Sequence, residues 1–224
     1  MDIGILGSGA VGQTLGAKLA DLGHAVTLGT RRPEARDEER DRASSLAQWV
    51  EASGGNGRVA SYAGAAEAGE LVVNATPGEV SLRVLESVGP DRLAGKILMD
   101  LSNPLDFSEG FPPSLLGGTG ASLGERIQRA LPDTKVVKVL NTVTAALMVD
   151  PGAVADGDHT LFLCGDDERA KESVSGWLRD WFGWTDLLDL GGLSAARGTE
   201  AYVLFWVHAM MAMGTPMFNV RIVR

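Results

Sequence analysis

Gly7-Ser8-Gly9-Ala10-Val11-Gly12 stands between an apolar run, Ile3–Leu6, and a helical pattern, Ala10–Leu22, and restricts the fold more than any other feature. The helix is read from Val11, Leu15, Leu19 and Leu22, which recur at spacings of three and four. G-x-G-x-x-G in this position has a mechanism. Gly7 permits a tight turn, Gly9 lets a pyrophosphate approach the backbone, and Gly12 lets helix and strand pack closely. The helix start, with Ala10 and Val11, offers unpaired N–H groups and a partial positive charge to phosphates. The same turn can also do no more than close a packed βα unit.

The rest of the chain supports the first reading. Ala25–Leu28 is a second strand, and a charged helix is expected from Pro33 to about Val50. A turn at Gly54–Gly57 leads to a weak strand at Arg58–Ser61. Leu71–Ala75 and Ile97–Leu101 are buried strands, with a helix opened by Pro77 and running to about Val88 between them. Leu105–Ala121, rich in Gly, Pro and Ser, is expected to be a long loop. Ser122-Leu123-Gly124-Glu125 is a capping box that starts a helix to about Leu131, and Val136–Leu140 is the next strand. Beyond it come a strand at Thr160–Cys164, a helix at Asp167–Phe182 and a strand at Trp184–Leu190. A long helix from about Ala195 to Met213 and an extended tail, Phe218–Val223, end the chain. Repeated strand–helix–strand units imply an α/β fold of Rossmann type, a parallel sheet with helices on both faces, plus a smaller C-terminal α/β portion. The expected division is residues 1–141 for nucleotide binding and 142–224 for a portion packed on it.

Composition narrows the partners. The 224 residues carry a formal charge of −9, which argues against nucleic acid and anionic membranes as ligands. One cysteine, Cys164, and three scattered histidines, His24, His159 and His208, give no legible metal site. The longest apolar run, Val203–Met213, is far short of the roughly 20 residues that span a bilayer. The N-terminus begins a strand pattern at once, with no basic region leading into an apolar stretch. A cytoplasmic protein is expected.

The end of the second strand selects the dinucleotide. An NAD site usually places an acid there, roughly 20 residues past the glycines. Here stand Thr30, Arg31 and Arg32, with Arg36 one turn on. A hydroxyl and guanidinium groups suit a 2′-phosphate, which Arg can grip in a bidentate fork, so NADP(H) is favoured over NAD(H). One of the arginines, Arg32 first, can instead be merely solvated. Asn74-Ala75-Thr76-Pro77 ends a later strand and is expected along the cofactor, because ligands sit beyond the carboxyl ends of strands. Ser102-Asn103-Pro104 and Asn141-Thr142 close further strands on that edge, although each of these turns can equally serve only as a helix start. Gly117-Gly118-Thr119-Gly120 looks like a second phosphate loop but follows no strand; it is read as a flexible loop, with a lid role left open.

These residues resemble the NADPH-dependent reductases of coenzyme F420, a deazaflavin, in their bacterial branch. The resemblance covers nearly the whole chain. It rests on Gly7–Gly12, Thr30-Arg31-Arg32, Ala75-Thr76-Pro77, Val136–Thr142, Cys164-Gly165-Asp166-Asp167, Gly191-Gly192-Leu193 with Arg197 and Glu200, and Gly214–Asn219. It implies hydride exchange between NADP(H) and F420. By resemblance Ser8, Thr30, Arg31 and Arg32 hold the 2′-phosphate. Ala75, Thr76 and Pro77 border the nicotinamide, and Asn141 and Thr142 face the acceptor ring. The chain departs from the archaeal pattern at Gly78, where a bulky aromatic is usual, and at Asn141-Thr142-Val143-Thr144, where a His-Thr-Ile-Pro-like turn is usual.

Hydride transfer between two rings asks the protein mainly for orientation, so Thr76, Asn141 and Thr142 are the candidate catalytic residues and no proton donor is required. Lys138, inside an apolar strand, is read as a proton donor, an anion clamp, or a residue whose ammonium reaches water. Arg126, Lys138 and Arg197 are candidates for the acceptor's anionic tail. His208, among Phe205, Trp206, Val207 and Met210, is expected to be packed rather than catalytic. The helix around it is apolar on nearly all sides, which suggests a core or a subunit interface and, from the latter, a homodimer; the alternative is that Trp206, Met210, Met211 and Met213 line a flat-ring acceptor pocket in the C-terminal portion. Two other functions stay open: an NADPH-dependent reductase of another acceptor (imine, flavin or ferric chelate), and a non-catalytic NADP(H)-sensing protein.

Overall fold

The computed structural model of the chain describes residues 1–33, 46–118 and 120–224. The elements run β1 (Asp2–Leu6), α1 (Ala10–Asp21), β2 (Ala25–Thr30), α2 (Leu46–Ala52), β3 (Gly57–Ser61), α3 (Tyr62–Ala68), β4 (Leu71–Asn74), α4 (Gly78–Val88), α5 (Pro90–Leu93) and β5 (Ile97–Asp100). There follow β6 (Leu105–Asp106), β7 (Ser114–Leu115), α6 (Leu123–Ala130), β8 (Lys135–Val139), α7 (Ala145–Val149), β9 (Thr160–Gly165), α8 (Glu168–Trp177), β10 (Asp186–Asp189) and α9 (Ala196–Met213). Most of the charged helix expected from Pro33, and Arg36 with it, lies outside the described residues.

Eight strands form one sheet in the order β10-β9-β8-β5-β4-β1-β2-β3. The chain winds outward from β1 through β2 to β3, then returns to the other side of β1 and continues through β4, β5 and β8. That reversal leaves a crevice between the carboxyl ends of β1 and β4, where open α/β sheets hold ligands. Alternation along the strands feeds two cores. Ile3, Ile5, Leu71, Val73 and Met99 face α1, α7 and α8. Leu6, Val72, Leu98 and Val136 face α3, α4, α6 and the start of α9.

Four features depart from the reading of the sequence. A helix, α3, fills the stretch after β3; its small Ala65 and Ala66 lie flat on the sheet, so no spacing of large apolar residues announces it. The expected loop after β5 contains the hairpin β6–β7. Strand β9 runs antiparallel to β8, because the chain between them turns back on the same sheet edge. Helix α8 continues through a π-turn, Leu178–Phe182, that presses Phe182 into the core.

Helix α9 corrects one expectation. Ala196, Thr199, Glu200, Val203 and Val207 are buried, but Phe205 is 59% exposed, Met211 49% and Met213 50%. His208 is exposed as well, not packed. The buried residues lie mainly in the first half of α9, and its last turns carry the exposed apolar side chains. Among the described residues no helix is long and apolar enough to cross a membrane, and no group of three or more His, Cys, Asp or Glu side chains could hold a metal ion.

Candidate functional site

Helix α1 begins where β1 ends, and its N-terminus is bare. Gly9 occupies the cap position without a side-chain hydrogen bond, and the first turn holds no acid. Gly7, at φ +127°, backs onto the neighbouring turn so closely that a Cβ there would overlap the Ala75 carbonyl oxygen. A Cβ at Gly9, by contrast, would meet nothing within 4 Å. The loop is therefore tight on its protein side and open on its outer side, which fits the approach of a pyrophosphate. Gln13 Nε2 donates to the Ser8 carbonyl at 2.8 Å and braces the loop.

Thr30 ends β2 with its side chain 5% exposed, and Arg31 and Arg32 follow on the surface. Two guanidinium groups thus stand beyond the strand next to the glycine loop, in a chain whose formal charge is −9. That charge distribution fits an extra phosphate on the adenosine ribose.

A chain of buried side chains joins the ends of β4, β5 and β8. Asn74 Nδ2 donates to Ser81 Oγ at 2.6 Å and to Asp100 Oδ1 at 2.8 Å. Those bonds fix the amide, so Asn74 Oδ1 accepts from the Thr76 hydroxyl at 2.7 Å and from Thr76 N at 3.3 Å. Asp100 Oδ1 also accepts from Ser102 Oγ at 2.6 Å, while its Oδ2 takes Lys138 Nζ at 2.9 Å. Lys138 Nζ meets Glu200 Oε1 at 3.0 Å and donates to the Ser102 carbonyl. Burial alone would push the Lys138 ammonium toward neutrality; the carboxylates of Asp100 and Glu200 outweigh it and hold the pKa above the ordinary lysine range.

Lys138 therefore corrects the sequence reading on each count. Its side chain is fully buried and its ammonium is engaged by Asp100, Glu200 and the Ser102 carbonyl, which does not fit a surface clamp for an anionic tail. Arg197, another candidate for that tail, is engaged by Glu125 through Nε at 2.8 Å and Nη2 at 2.6 Å, whereas Arg126 is exposed.

Of the candidate catalytic residues, Thr76 is 3% exposed, Asn141 4% and Thr142 2%. Asn141 Nδ2 donates to Asn103 Oδ1 at 3.0 Å, and Asn103 Nδ2 donates back to the Asn141 carbonyl at 2.8 Å, which ties two strand ends together. Asn141 Oδ1 and Thr142 Oγ1 are buried with no hydrogen-bond partner among the described residues. Unspent buried polar atoms at a ligand edge fit a polar ring system laid against them. More open on this edge are Ala75, Pro77, Gly78 and Asn103. A Cβ at Gly78 would overlap the Asn103 carbonyl oxygen, so the space a bulky residue would need there is filled by backbone.

Sequence reasoning gave Asp100 and Glu200 no part in the site, although Glu200 was among the residues that carry the resemblance. A signal was present for part of it: Asp100 and Lys138 each sit in an apolar strand pattern, and buried charges must find partners.

Comparison with known proteins places this geometry. A family model described as NADP oxidoreductase, coenzyme F420-dependent, matches residues 2–104. The F420-dependent NADP reductase of Methanocaldococcus jannaschii is 29% identical over 208 residues, covering 90% of this chain and 88% of that protein. The metalloreductase STEAP3 of Rattus norvegicus is 32% identical over 203 residues, 90% of this chain; the match spans only 36% of that longer protein. A crystal structure from Arthrobacter sp. FB24, provisionally described as an F420-dependent NADP-reductase, is 47% identical with a TM-score of 0.94, and each chain is covered to 100%. With agreement along the entire length of that bacterial structure, the chain belongs to the coenzyme F420-dependent NADP oxidoreductase family.

Proposed function

We propose that this protein is an NADP-dependent oxidoreductase that moves hydride between NADP(H) and the deazaflavin coenzyme F420. One observation carries the reading: a bare helix N-terminus behind an open glycine loop, with Arg31 and Arg32 exposed at the end of the neighbouring strand β2.

The roles follow from position. Gly7, Ser8, Gly9, Ala10, Val11 and Gly12 take the pyrophosphate against the N–H groups of α1. Thr30, Arg31 and Arg32 take the 2′-phosphate; Arg36, outside the described residues, would join them. Asn74, Ala75, Thr76, Pro77 and Asn103 line the nicotinamide end. Asn141 and Thr142 offer their unspent polar atoms to the acceptor ring. NADPH supplies the hydride and the deazaflavin receives it; the protein contributes alignment and exclusion of water. The Asn74–Asp100–Lys138–Glu200 chain serves alignment. It locks the Thr76 turn and anchors it to α9, so the ring-binding edge is held by the sheet rather than by a loose loop.

In this reading residues 1–141 bind the dinucleotide and 142–224 complete the acceptor side. The exposed apolar side chains of α9, Phe205, Met211 and Met213, form the face of a homodimer. The protein works in the cytoplasm.

Titration of the purified protein with NADPH and F420, followed by absorbance, tests the function. Stoichiometric loss of the NADPH band together with bleaching of the deazaflavin supports it. NADPH oxidation by a ferric chelate or flavin but not by F420 would favour the second reading, to which the metalloreductase similarity over 90% of the chain lends weight. Binding with no turnover on any acceptor would leave a sensor.

A further inference from the structure

The carboxyl end of β2 has a neighbour that the reading above does not use. In the β2–β3 pair Thr30 lies opposite Ser61. Tyr62, the next residue, therefore leaves β3 on the same edge at which Arg31 leaves β2. Its ring packs over Gly29: a Cβ built there would lie 3.1 Å from Tyr62 Cδ1 and 3.2 Å from Tyr62 Cα. The absence of a side chain at Gly29 thus lets the aromatic ring lie close across the end of β2. Ser61 Oγ is spent, accepting from Gly64 N at 3.1 Å to cap α3. The Tyr62 side chain is half-buried at this edge. Burial raises its pKa, and the Arg31 charge, close enough to be felt, pulls the other way.

We infer that Tyr62 belongs to the 2′-phosphoadenosine subsite, its hydroxyl donating to the 2′-phosphate beside Arg31 and its ring flanking the adenosine. The inference rests on the NADP(H) reading and adds a determinant to it. A phenol that keeps its proton donates to a phosphate oxygen and makes a charge-assisted hydrogen bond. An aromatic face offers the adenosine an apolar wall at small entropic cost. Together they explain why a tyrosine occupies the first turn of a helix otherwise made mostly of alanine and glycine.

Titration calorimetry of the full chain with 2′,5′-ADP and with 5′-AMP tests it. Wild type should prefer 2′,5′-ADP. Tyr62→Phe, which keeps the ring, should lose about tenfold in 2′,5′-ADP affinity and leave 5′-AMP unchanged. Tyr62→Ala should weaken both ligands, with thermal unfolding reporting whether it stays folded. If wild type does not prefer 2′,5′-ADP, the NADP(H) reading fails and the inference falls with it. If wild type prefers it and Tyr62→Phe binds both ligands as wild type does, the NADP(H) reading stands and the role of Tyr62 is overturned.

Discussion

Of the helices that begin on the carboxyl edge of the sheet, α1 and α6 have N-termini with opposite fates. At α6 the N–H groups are spent. Leu123 N and Gly124 N donate to the Glu200 carboxylate at 2.8 and 3.0 Å, and Glu125 N donates to Ser122 Oγ at 3.1 Å. The Glu125 side chain returns to Ser122 N at 2.8 Å and completes the capping box. At α1 no side chain caps the helix, and the loop before it is all small residues. The positive end of α6 is met from inside by a carboxylate, which Lys138 then balances together with Asp100. The positive end of α1 is left for an external anion. An anion site is thus marked as much by what the protein leaves unsatisfied as by the motif that surrounds it.

The largest effect should come from breaking the closed terminus. Lys138→Met leaves Asp100 and Glu200 buried without a counter-ion and should cost about 3–5 kcal/mol. Urea unfolding reads this directly, and an unchanged midpoint would mean that the triad is not holding the two halves together.

The open terminus should respond differently at its two glycines. Gly7→Ala drives a methyl into the Ala75 carbonyl at a positive φ, so stability should fall by about 1–3 kcal/mol and NADPH binding with it. Gly9→Ala meets open space. Its unfolding midpoint should hold to within about 0.5 kcal/mol, while NADPH affinity falls about tenfold, or 1.4 kcal/mol. Thermal melts beside cofactor titrations separate the two. Equal losses of stability would erase the distinction between the inner and outer sides of the loop.

The smallest effect belongs to the rim of the closed terminus. The Arg197 guanidinium beside Glu125, assisted by Ser122, holds the Glu125 carboxyl at about 2, against an ordinary value of 4.5. A lowered folded-state value gives stability that is present above 4.5 and lost as pH falls toward 2. Arg197→Ala should therefore flatten the pH dependence of stability across that window and slightly lower stability at neutral pH. Partial exposure keeps the change small. Identical acid limbs in the two proteins would show that the pair contributes nothing.

Local patterns made much of this legible. The strand–turn–helix around Gly7–Gly12, the capping box at Ser122 and the apolar strands each announce themselves within a few residues, because hydrogen bonding and alternation act at short range. The buried triad did not. Its members come from β5, β8 and α9, and nothing near Lys138 in the chain says which carboxylates will meet it. The position of Tyr62 was hidden for the same reason, since it depends on the pairing of β3 with β2. Helix α9 reads as apolar all round, but only the packed structure shows that its last turns leave apolar side chains and His208 exposed.

The most direct test of cofactor choice at the open terminus is the affinity of wild type and of Arg31→Ala/Arg32→Ala for NADPH and NADH, measured side by side by fluorescence titration. NADPH should be bound more tightly by wild type and should weaken about a hundredfold in the double variant, with NADH nearly unchanged. Parallel losses for both dinucleotides, or a wild-type protein that does not distinguish them, would contradict the assignment.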